Sequence, residues 1–551
     1  MHRQKNMTNK KNTFPNIQMT APEPARRPLP LWHASLRMAL VSAAGLMAAG
    51  LMATGITGCA DMSGITPQSS LRGAPSLGLN PASAAPSEAK AQAPVAAEWW
   101  RDFSDEPLNR LIGQALETSP SLKLAQARLA RAQAVTEVAD AATLPQLNGQ
   151  IDLTRQRYTA NGAVPSPLAG AISESGTAQI SASWELDFFG KNRAALDAAL
   201  GSVNAAQADA QAARVLLASQ VARTYFQLVR LNEQALVARR TLAQRAETLT
   251  LVQDRVNAGL DTRLELRQSE GGLPEARLQL EVLQEQTALT RNALGALIGQ
   301  PNGDFPLNPS AQAAIKNIAV EAIIPADLLG RRADIAAARW RVEASSKDLV
   351  NAKAQFYPNV NLVAFAGFSS IGLSRLIESG SQQWGVGPAL RLPIFDAGRL
   401  RANLRGKTAD LDAAVESYNA AVIDAVRDVA DQVASSQAIG RQQAEQRAAQ
   451  EAAEGAYEIA VQRYQAGLGN YLYVLSAETS VLSQRRLAVD LAGRALETQV
   501  ALMRALGGGY TPEPTSMAIS TRQSATKTIA AYDRAAWAES AFDSKKGAAS
   551  P

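Results

Sequence analysis

Cysteine and histidine are almost absent from this chain, and their absence limits its chemistry. Of 551 residues, only Cys59 is a cysteine and only His2 and His33 are histidines. The chain after residue 59 therefore has no disulfide, histidine triad, cysteine nucleophile or typical zinc or copper site. No close acidic pair with apolar flanks suggests carboxylate catalysis either. The sequence predicts a protein that is not an enzyme and that has no metal or cofactor site.

A surplus of charge is also missing once the first 58 residues are set aside. The chain has 55 basic and 50 acidic residues, a formal net charge of +5. Residues 1–58 contain seven of the basic residues and one acid, Glu23, which leaves 48 basic and 49 acidic side chains. The basic charge is thus confined to a leader. The rest of the chain has no cationic surplus that would favour nucleic acid as a partner.

The segment before Cys59 has the pattern of a secretory signal. Arg37 precedes a weakly apolar run over residues 38–56, and small residues connect that run to the cysteine. The sequence Ile-Thr-Gly-Cys resembles a bacterial lipobox, in which the cysteine is acylated and becomes the mature N-terminus. Residues 1–58 are therefore predicted to be a lipoprotein signal peptide, and Cys59 is the predicted site of the covalent lipid. The alternative is an uncleaved anchor, but a run rich in Ala and Gly spans a membrane poorly.

Two further features concern the region after the cysteine. Ala60, rather than an aspartate, follows it, which by resemblance to bacterial sorting rules favours the outer membrane. Residues 59–97 are rich in Ala, Pro and Ser, and this composition predicts a flexible tether between the lipid and the fold.

The remainder of the chain contains an internal repeat. The segment Val256-Asn-Ala-Gly-Leu260 recurs as Tyr464-Gln-Ala-Gly-Leu468, 208 positions later, and two further pairs of segments have the same offset. One offset held over three separate segments is improbable by chance, so the sequence predicts an internal duplication. The predicted parts are a first copy, an equatorial linker, a second copy and an equatorial, partly disordered tail, over residues 98–300, 301–330, 331–507 and 508–551.

Each copy is predicted to have the same order of elements. A helix leads into a pair of alternating segments, within about 145–189 and 358–395, which are strand signals. A proline-free helical stretch follows, Lys191–Asn257 or Arg399–Gln465, and could extend roughly 100 Å if continuous. The chain then turns at a glycine and returns in a shorter helix, which completes the predicted hairpins 191–298 and 399–506.

The first return helix contains a sequence that the second lacks. Gly271, Gly272 and Pro274 interrupt its helical pattern, and no equivalent stands in the second copy. Because glycine and proline both weaken a helix, we expect a local bend there.

Four strands per chain are too few to close a barrel. An open edge within lipid leaves backbone groups unpaired, at a cost on the order of several kcal/mol each. Closure therefore needs several chains, and three chains with cyclic symmetry would give twelve strands. Eight or sixteen strands would also close. A half-buried soluble sheet would show the same alternation, so the pattern alone leaves that alternative open.

Three motifs make a family resemblance specific. They are Trp184-Glu-Leu-Asp187-Phe-Phe-Gly190-Lys-Asn-Arg193, Arg331-Arg-Ala-Asp-Ile335 and Leu392-Pro-Ile-Phe-Asp396-Ala-Gly398-Arg-Leu-Arg401. In this order they resemble the TolC-like outer-membrane factor family, in the lipidated branch paired with resistance-nodulation-division pumps. The resemblance covers roughly residues 96–510. Ala333 stands where the family usually has proline, which affects only local rigidity.

The resemblance implies an α+β membrane protein. In that fold, three chains complete a twelve-stranded β-barrel in the outer membrane and a long periplasmic α-helical barrel with a small mixed equatorial collar. The implied function is a passive trimeric conduit of a tripartite efflux pump that exports small molecules. The implied partners are two further copies, a periplasmic adaptor (membrane fusion) protein, an inner-membrane pump and outer-membrane lipid.

The resemblance also assigns roles to single residues. Asp187, Gly190, Asp396 and Gly398 are expected to shape the two strand-to-helix corners rather than to contact substrate. The turns at Gly259 and Gly467 lie farthest from the strands and are expected to encircle the inner mouth and contact the adaptor.

The return helix after the second turn carries the aperture in the family. Leu472 matches the family's apolar ring, whereas Tyr473 and Ser476 stand where the family has aspartates. Charge at the mouth must then come from elsewhere, and Asp261 and Glu265 of the first turn are the nearest candidates. The alternative is that Leu472 and Tyr473 simply pack between helices.

Other functions remain open at this stage. A structural coiled-coil lipoprotein linking envelope layers is one alternative, although the duplicated strand pairs argue against it. The same conduit fold could also serve type I protein secretion or metal efflux. No Met- or His-rich tract points to copper or silver, and the sequence identifies neither the exported substrate nor the cognate adaptor and pump.

Overall fold

The computed structural model describes residues 61–73, 95–303, 305–307, 309–316 and 330–511. The predictions for the signal peptide, for Cys59 and for the tail after residue 511 lie outside these ranges. The described helices are α1 Glu106–Thr118, α2 Pro120–Ala141, α3 Lys191–Asn257, α4 Arg263–Leu297, α5 Ala333–Ala354, α6 Arg399–Gln465 and α7 Tyr471–Ala505. The described strands are β1 Gln146–Arg157, β2 Ile172–Leu186, β3 Asn359–Ile371 and β4 Gln382–Arg391.

After α1, the two halves of the chain have their elements in the same order, and the corresponding helices match in length. Each half has a helix, two strands, a long helix and a shorter return helix. The long helices α3 and α6 both have 67 residues, and the return helices α4 and α7 both have 35. The long helices occupy the residues of the two proline-free stretches.

Glycine ends both long helices in the same way. Gly259 (φ 71°) and Gly467 (φ 74°) adopt the left-handed conformation that glycine tolerates best. The following N–H of Leu260 donates to the Arg255 carbonyl at 2.9 Å, and that of Leu468 donates to the Arg463 carbonyl at 2.8 Å. Each long helix therefore closes with the hydrogen bond of a Schellman motif before the chain reverses.

The four strands form one antiparallel sheet in the order β1-β2-β3-β4. Their register places Leu147, Ala182, Ala364 and Val386 in one row across the sheet. The adjacent row, on the other face, consists of Asn148, Ser181, Phe365 and Gly385. Because strand side chains alternate between faces, one face is mainly apolar and the other is mainly polar or small. The apolar face ends in charge, where Arg155 of β1 pairs with Glu174 of β2 at 3.5 Å. Strands β1 and β4 are the two edges.

Two strands end earlier than the alternation predicts. The predicted strand pairs extend to about residues 189 and 395, whereas β2 ends at Leu186 and β4 at Arg391. After β2, the N–H of Phe188 turns back to the Leu186 carbonyl at 2.8 Å. After β4, Pro393 has no N–H to donate to a neighbouring strand. The alternation of apolar residues therefore continues beyond the last hydrogen-bonded residue of each strand.

Helix α3 is the central element of the helical part. Its first half packs against α2 and α5, and its second half packs against α4 and α7. Helix α6 packs against α5 and α7. Gly201 of α3 allows the closest approach, since a Cβ there would lie 3.1 Å from the Cα of Ala344. The helices thus follow one another as α2-α3-α5-α6 beside the sheet and as α4-α3-α7-α6 farther from it.

An aromatic core lies around the middle of α3, and the sequence did not predict it in detail. A short 3₁₀ helix, Trp99–Phe103, precedes α1, and its Phe103 ring meets Phe226 edge to face at 5.0 Å. The Asp105 carboxylate caps α1 by accepting the Leu108 N–H at 2.9 Å. It also accepts the Tyr225 hydroxyl at 3.0 Å. This core joins the start of the chain's folded part to α3.

Residues 62–73 are not a free tether. The N–H groups of Gln68 and Ser69 both donate to the Asp412 carboxylate of α6 at 2.9 Å. Farther along, the Arg72 N–H donates to the Asn419 side chain at 3.0 Å, and Asn419 donates to the Ser70 carbonyl at 3.1 Å. Part of the segment predicted to be flexible is therefore fastened along α6 by side chains distant in sequence.

Candidate functional site at the helix ends

Both strand-to-helix corners are built on an aspartate followed by a glycine. Asp187 accepts the Arg193 N–H at 2.8 Å, and Asp396 accepts the N–H groups of Gly398 at 3.0 Å and Leu400 at 2.8 Å. A carboxylate at a helix N-terminus satisfies free N–H groups and complements the helix dipole. Gly190 (φ 73°) and Gly398 (φ 83°) supply the left-handed turn. Each corner therefore has a carboxylate that accepts N–H groups of the helix and a left-handed glycine directly before it; a purely structural role for the four residues stays a prediction.

A cavity of about 780 Å³ lies between the strand ends and helices α3, α5 and α6. The Lys191 ammonium pairs with the Glu185 carboxylate at 2.6 Å on its lining. Also on the lining, Phe189 stacks on Tyr357 with ring centroids 4.8 Å apart. These contacts connect the end of β2 and the start of β3 to the helices.

At the opposite ends of the long helices, the first turn is tied to the second hairpin. Asp261 accepts the Arg255 Nε–H at 2.9 Å and a hydrogen bond from the Tyr464 hydroxyl. Arg255 also lies over the Tyr464 ring, 4.5 Å from its centroid. Burial alone would raise the pKa of Asp261, but the hydrogen bonds from Arg255 and Tyr464 lower it below its ordinary value. The Asp261 carboxylate is thus paired within the chain, with Arg255 of the first hairpin and Tyr464 of the second.

Glu265 has a different environment. Its carboxylate accepts the Thr262 N–H at 3.0 Å and the Thr262 hydroxyl, while the Leu264 N–H donates to that hydroxyl oxygen at 3.1 Å. These contacts form a capping box at the start of α4. The hydrogen bond from Thr262 lowers the pKa of Glu265. Glu265 therefore remains charged at neutral pH close to the first turn.

The predicted aperture residues project from the start of α7. Leu472 is 59% exposed and Tyr473 is 67% exposed, and Ser476 is exposed as well. Within one chain, Leu472 and Tyr473 therefore do not pack between helices. The buried neighbours Tyr471 and Val474 hold this turn of α7 against α3 and α6. The structure brings Leu472, Tyr473 and Ser476 to one helix end, beside the first turn.

A second link between the hairpins lies farther from the turns. Arg245 of α3 donates through Nε to the Glu478 carboxylate of α7 at 3.2 Å. Burial raises the pKa of the Glu478 carboxyl above its ordinary value, and Arg245 offsets part of that shift. The sequence did not single out either residue. A comparison of the two copies would have given a signal, because Ala453 occupies the position of Arg245 at the offset of 208.

The described part of the chain has neither a membrane-spanning helix nor a cluster of metal-ligating side chains. In those ranges no helix has both the length and the apolar character needed to cross a membrane. The same ranges contain no group of three or more His, Cys, Asp or Glu side chains placed to hold a metal ion. The arrangement at the helix ends consists of tight turns, tied hairpins and exposed side chains.

Curated relatives match over most of their length. The relative named "Putative multidrug resistance outer membrane protein MdtQ", from Escherichia coli (strain K12), is 32% identical. The match covers 75% of this chain and 88% of the relative's length. The pyoverdine export outer membrane protein OpmQ of Pseudomonas putida is 32% identical over 79% of this chain and 93% of its own.

Solved structures have the same fold. The outer membrane protein VceC of Vibrio cholerae is 37% identical, with a TM-score of 0.72 over 76% of this chain and 100% of its own. The outer-membrane channel OprN is 28% identical, with a TM-score of 0.72 over 76% of this chain and 93% of its own.

The family model described as "Outer membrane efflux protein" matches residues 111–300 and 324–508, one segment in each half. This match and the relatives confirm the resemblance drawn from the strand-to-helix motifs, and they confirm the outer membrane as the location. The chain belongs to the outer membrane efflux protein family.

Proposed function

We propose that three copies of this chain close a twelve-stranded barrel and continue it with their helices, as the passive outer-membrane duct of a tripartite efflux pump. The observation that carries the proposal is the four-stranded sheet, with one mainly apolar face and two open edges. An apolar face suits lipid and a polar face suits a water-filled lumen. Open edges in lipid require partner strands.

The helices support head-to-tail closure. Strand β4 leads into α6, which is the last member of both helix rows, whereas α2 leads into β1. A neighbouring copy that pairs its own β1 with β4 of this chain would therefore place its own α2 and α4 beside α6 of this chain. Helix α2 has no buried residue in the single chain, and Leu124, Val135 and Val138 are exposed on it. A neighbouring helix would cover these apolar side chains.

The matching helix lengths of the two halves support the origin of this architecture by internal duplication. We infer small molecules as cargo, since relatives of this chain are named for multidrug resistance and pyoverdine export. A duct of this kind needs an inner-membrane pump and a periplasmic adaptor at its inner mouth. Nothing in the proposed mechanism requires bond chemistry, and the proposed duct has no cofactor beyond the lipid on Cys59.

Two measurements test the duct. The mature protein purified in detergent should have the mass of a trimer, and it should conduct ions across a planar bilayer. A stable monomer that retains its full strand content would contradict closure by several chains. A trimer without conductance would favour a structural lipoprotein that links envelope layers.

The aperture assignment gives a sharper prediction. Three copies of Leu472 would form an apolar ring at the inner mouth, so Leu472→Ala should raise single-channel conductance with little effect on trimer stability. Ser476→Asp should increase cation selectivity, because three carboxylates would face a narrow lumen in which screening by salt is weak. Both are measured by bilayer recordings.

Leu487→Ala provides a matched control. Leu487 lies on the same helix and is also exposed, but it is roughly 22 Å farther from the turn at 1.5 Å per residue. It should leave conductance unchanged. If Leu472→Ala and Ser476→Asp both match the parent protein, the aperture lies elsewhere.

A further inference from the structure

The two ends of the sheet differ in what they connect to. All four connections to helices lie at one end, where α2 leads into β1, β2 into α3, α5 into β3 and β4 into α6. The other end has only the two hairpin loops, residues 158–171 and 372–381. In an outer-membrane protein whose helices extend into the periplasm, this loop end faces the outside of the cell.

The apolar face of the sheet has the height of a membrane's hydrocarbon core. Its lowest full row is Leu186-Val360-Leu390, its highest is Leu153-Gly176-Ser370, and no residue on this face between the two rows is charged. On β2, Leu186 and Gly176 are ten positions apart. That length of strand is roughly 34 Å, which a tilt of about 40° reduces to about 26 Å of height. The apolar band of an outer-membrane barrel is about 25 Å tall, so the next row lies at the outer headgroups.

Charge begins in that next row. It consists of Arg155 on β1 and Glu174 on β2, and Arg157 follows on the same face of β1. The side chain of Arg155 remains 74% exposed, although it pairs with Glu174 at 3.5 Å. Arg157 is also exposed, and its Nε–H donates to the Gly170 carbonyl at 3.4 Å. Among the described residues, Arg157 has no carboxylate partner.

The loop between β3 and β4 adds a third arginine at this end. Leu373 and Leu376 of the loop lie over Gly176 on the apolar face, since a Cβ built on Gly176 would meet their Cδ2 atoms at 3.0 and 3.1 Å. This packing holds the loop over the outer end of β2. The loop contains Arg375, which is exposed.

The opposite face of β1 and β2 has no charge at the same height. The pairs there are Thr154 with Ser175 and Gln156 with Ser173. Both faces at the outer end of a barrel are close to water, so solubility alone would not confine the arginines to one face. They stand on the face that meets lipid, which indicates a ligand in the outer leaflet.

We propose that Arg155, Arg157 and Arg375 form a binding surface for the phosphate groups of lipopolysaccharide, the phosphorylated glycolipid of the outer leaflet. Guanidinium groups bind phosphate oxygens through forked pairs of N–H donors. Arg155 and Arg157 are about 7 Å apart along the strand, so they present separate donors to a headgroup with more than one phosphate. The inference rests on the proposed duct, since a closed barrel in the outer membrane turns this face towards lipid.

The charge balance of this end favours an anionic partner. Glu174 and Glu378 are the acidic residues of the outward face and the loops there, against three arginines. One positive charge per chain therefore remains, and three remain per proposed duct. The surplus is small, so the position of the guanidinium groups at headgroup level contributes as much to the argument as their charge.

Native mass spectrometry of the mature protein in detergent tests the surface, with three lipids added in turn. These are bisphosphorylated lipid A, lipid A without its phosphates, and phosphatidylglycerol. The combined variant Arg155→Gln, Arg157→Gln and Arg375→Gln should bind bisphosphorylated lipid A roughly thirtyfold more weakly than the parent, at about threefold for each exposed ion pair. The parent should lose about as much affinity when the phosphates are removed, and about tenfold with phosphatidylglycerol, which has one phosphate.

Two further variants make the measurement specific. In the matched control, Arg239→Gln, Arg240→Gln and Arg441→Gln, the net charge changes equally at exposed sites about 60 to 70 Å along α3 and α6 from the sheet. This variant should bind lipid A as the parent does. Lysine at the three proposed positions retains the charge without the fork, so binding should stay within about threefold of the parent. If the triple glutamine variant does not assemble, Arg157→Gln alone should weaken binding about threefold.

Unchanged binding by the glutamine variants would overturn the proposed surface. A parent that binds phosphatidylglycerol as tightly as lipid A would overturn lipopolysaccharide as the ligand. An equal loss in the helix control would show an effect of net charge alone and would overturn the surface as well. A parent that forms a conducting trimer but binds no lipid A would overturn this inference only, whereas a monomer without conductance would overturn the duct itself.

Discussion

A Cys59→Ser variant is expected to incorporate no fatty acid, because the chain has no other cysteine that could be acylated. Serine has almost the same size, but its hydroxyl is not the thiolate nucleophile that lipid transfer to a lipobox requires. Cleavage of the leader should also be impaired, since the processing site depends on the modified cysteine. Metabolic labelling with a radioactive or clickable fatty acid, followed by capture of the protein, measures the result directly.

A displaced cysteine makes the control for this experiment. In the double variant Cys59→Ser with Ser63→Cys, the chain again has one cysteine, but that cysteine lacks the Ile-Thr-Gly context. It should remain unlabelled. Label on Cys59→Ser itself would contradict the lipoprotein assignment. The described fold does not include Cys59, so any exported fraction of the variant should still assemble.

An Asp105→Ala variant is expected to lose about 3 kcal/mol of stability, the sum of a lost helix cap and an unsatisfied buried hydroxyl. The Asp105 carboxylate is only 2% exposed and caps α1 while accepting the hydroxyl of the fully buried Tyr225. Its removal therefore leaves two donors without an acceptor inside the aromatic core. Thermal unfolding of the detergent-solubilised protein, followed by near-ultraviolet circular dichroism, reports the loss.

Two companion variants make this measurement specific. Glu106→Ala changes the neighbouring carboxylate, which is exposed, and should alter stability by less than about 0.5 kcal/mol. Tyr225→Phe removes the other partner, and the double variant should be less destabilised than the sum of the two single variants because the residues interact directly. An Asp105→Ala variant as stable as Glu106→Ala would contradict the role assigned to this carboxylate.

Features that depend on local chemistry could be read from the sequence. The ends of α3 and α6 are marked by Gly190, Gly259, Gly398 and Gly467, and all four glycines adopt the left-handed conformation. The sheet followed from alternation with a period of two residues. Because the two copies are related by one offset, each element predicted in the first half could be compared with its counterpart in the second half. These signals act over a few residues, so they are visible without a structure.

Features that depend on distant pairs could not be read in this way. Asp261 was a candidate for charge at the mouth, but its carboxylate is bound by Tyr464, 203 positions away. Gln68 was assigned to a flexible tether, but it donates to Asp412, 344 positions away. Neither partner follows from periodicity or composition. The same holds for the core around Trp99, where short elements meet the middle of a long helix.

The open edges of the sheet have a consequence for genetics. If each duct takes three chains and the edges β1 and β4 are unaltered, parent and variant subunits mix freely during assembly. With equal synthesis of both, about one duct in eight would contain three parent chains. A variant that assembles normally but has a blocked tip would therefore be dominant over the parent allele, whereas a variant with a damaged edge would be excluded from assemblies and would be recessive.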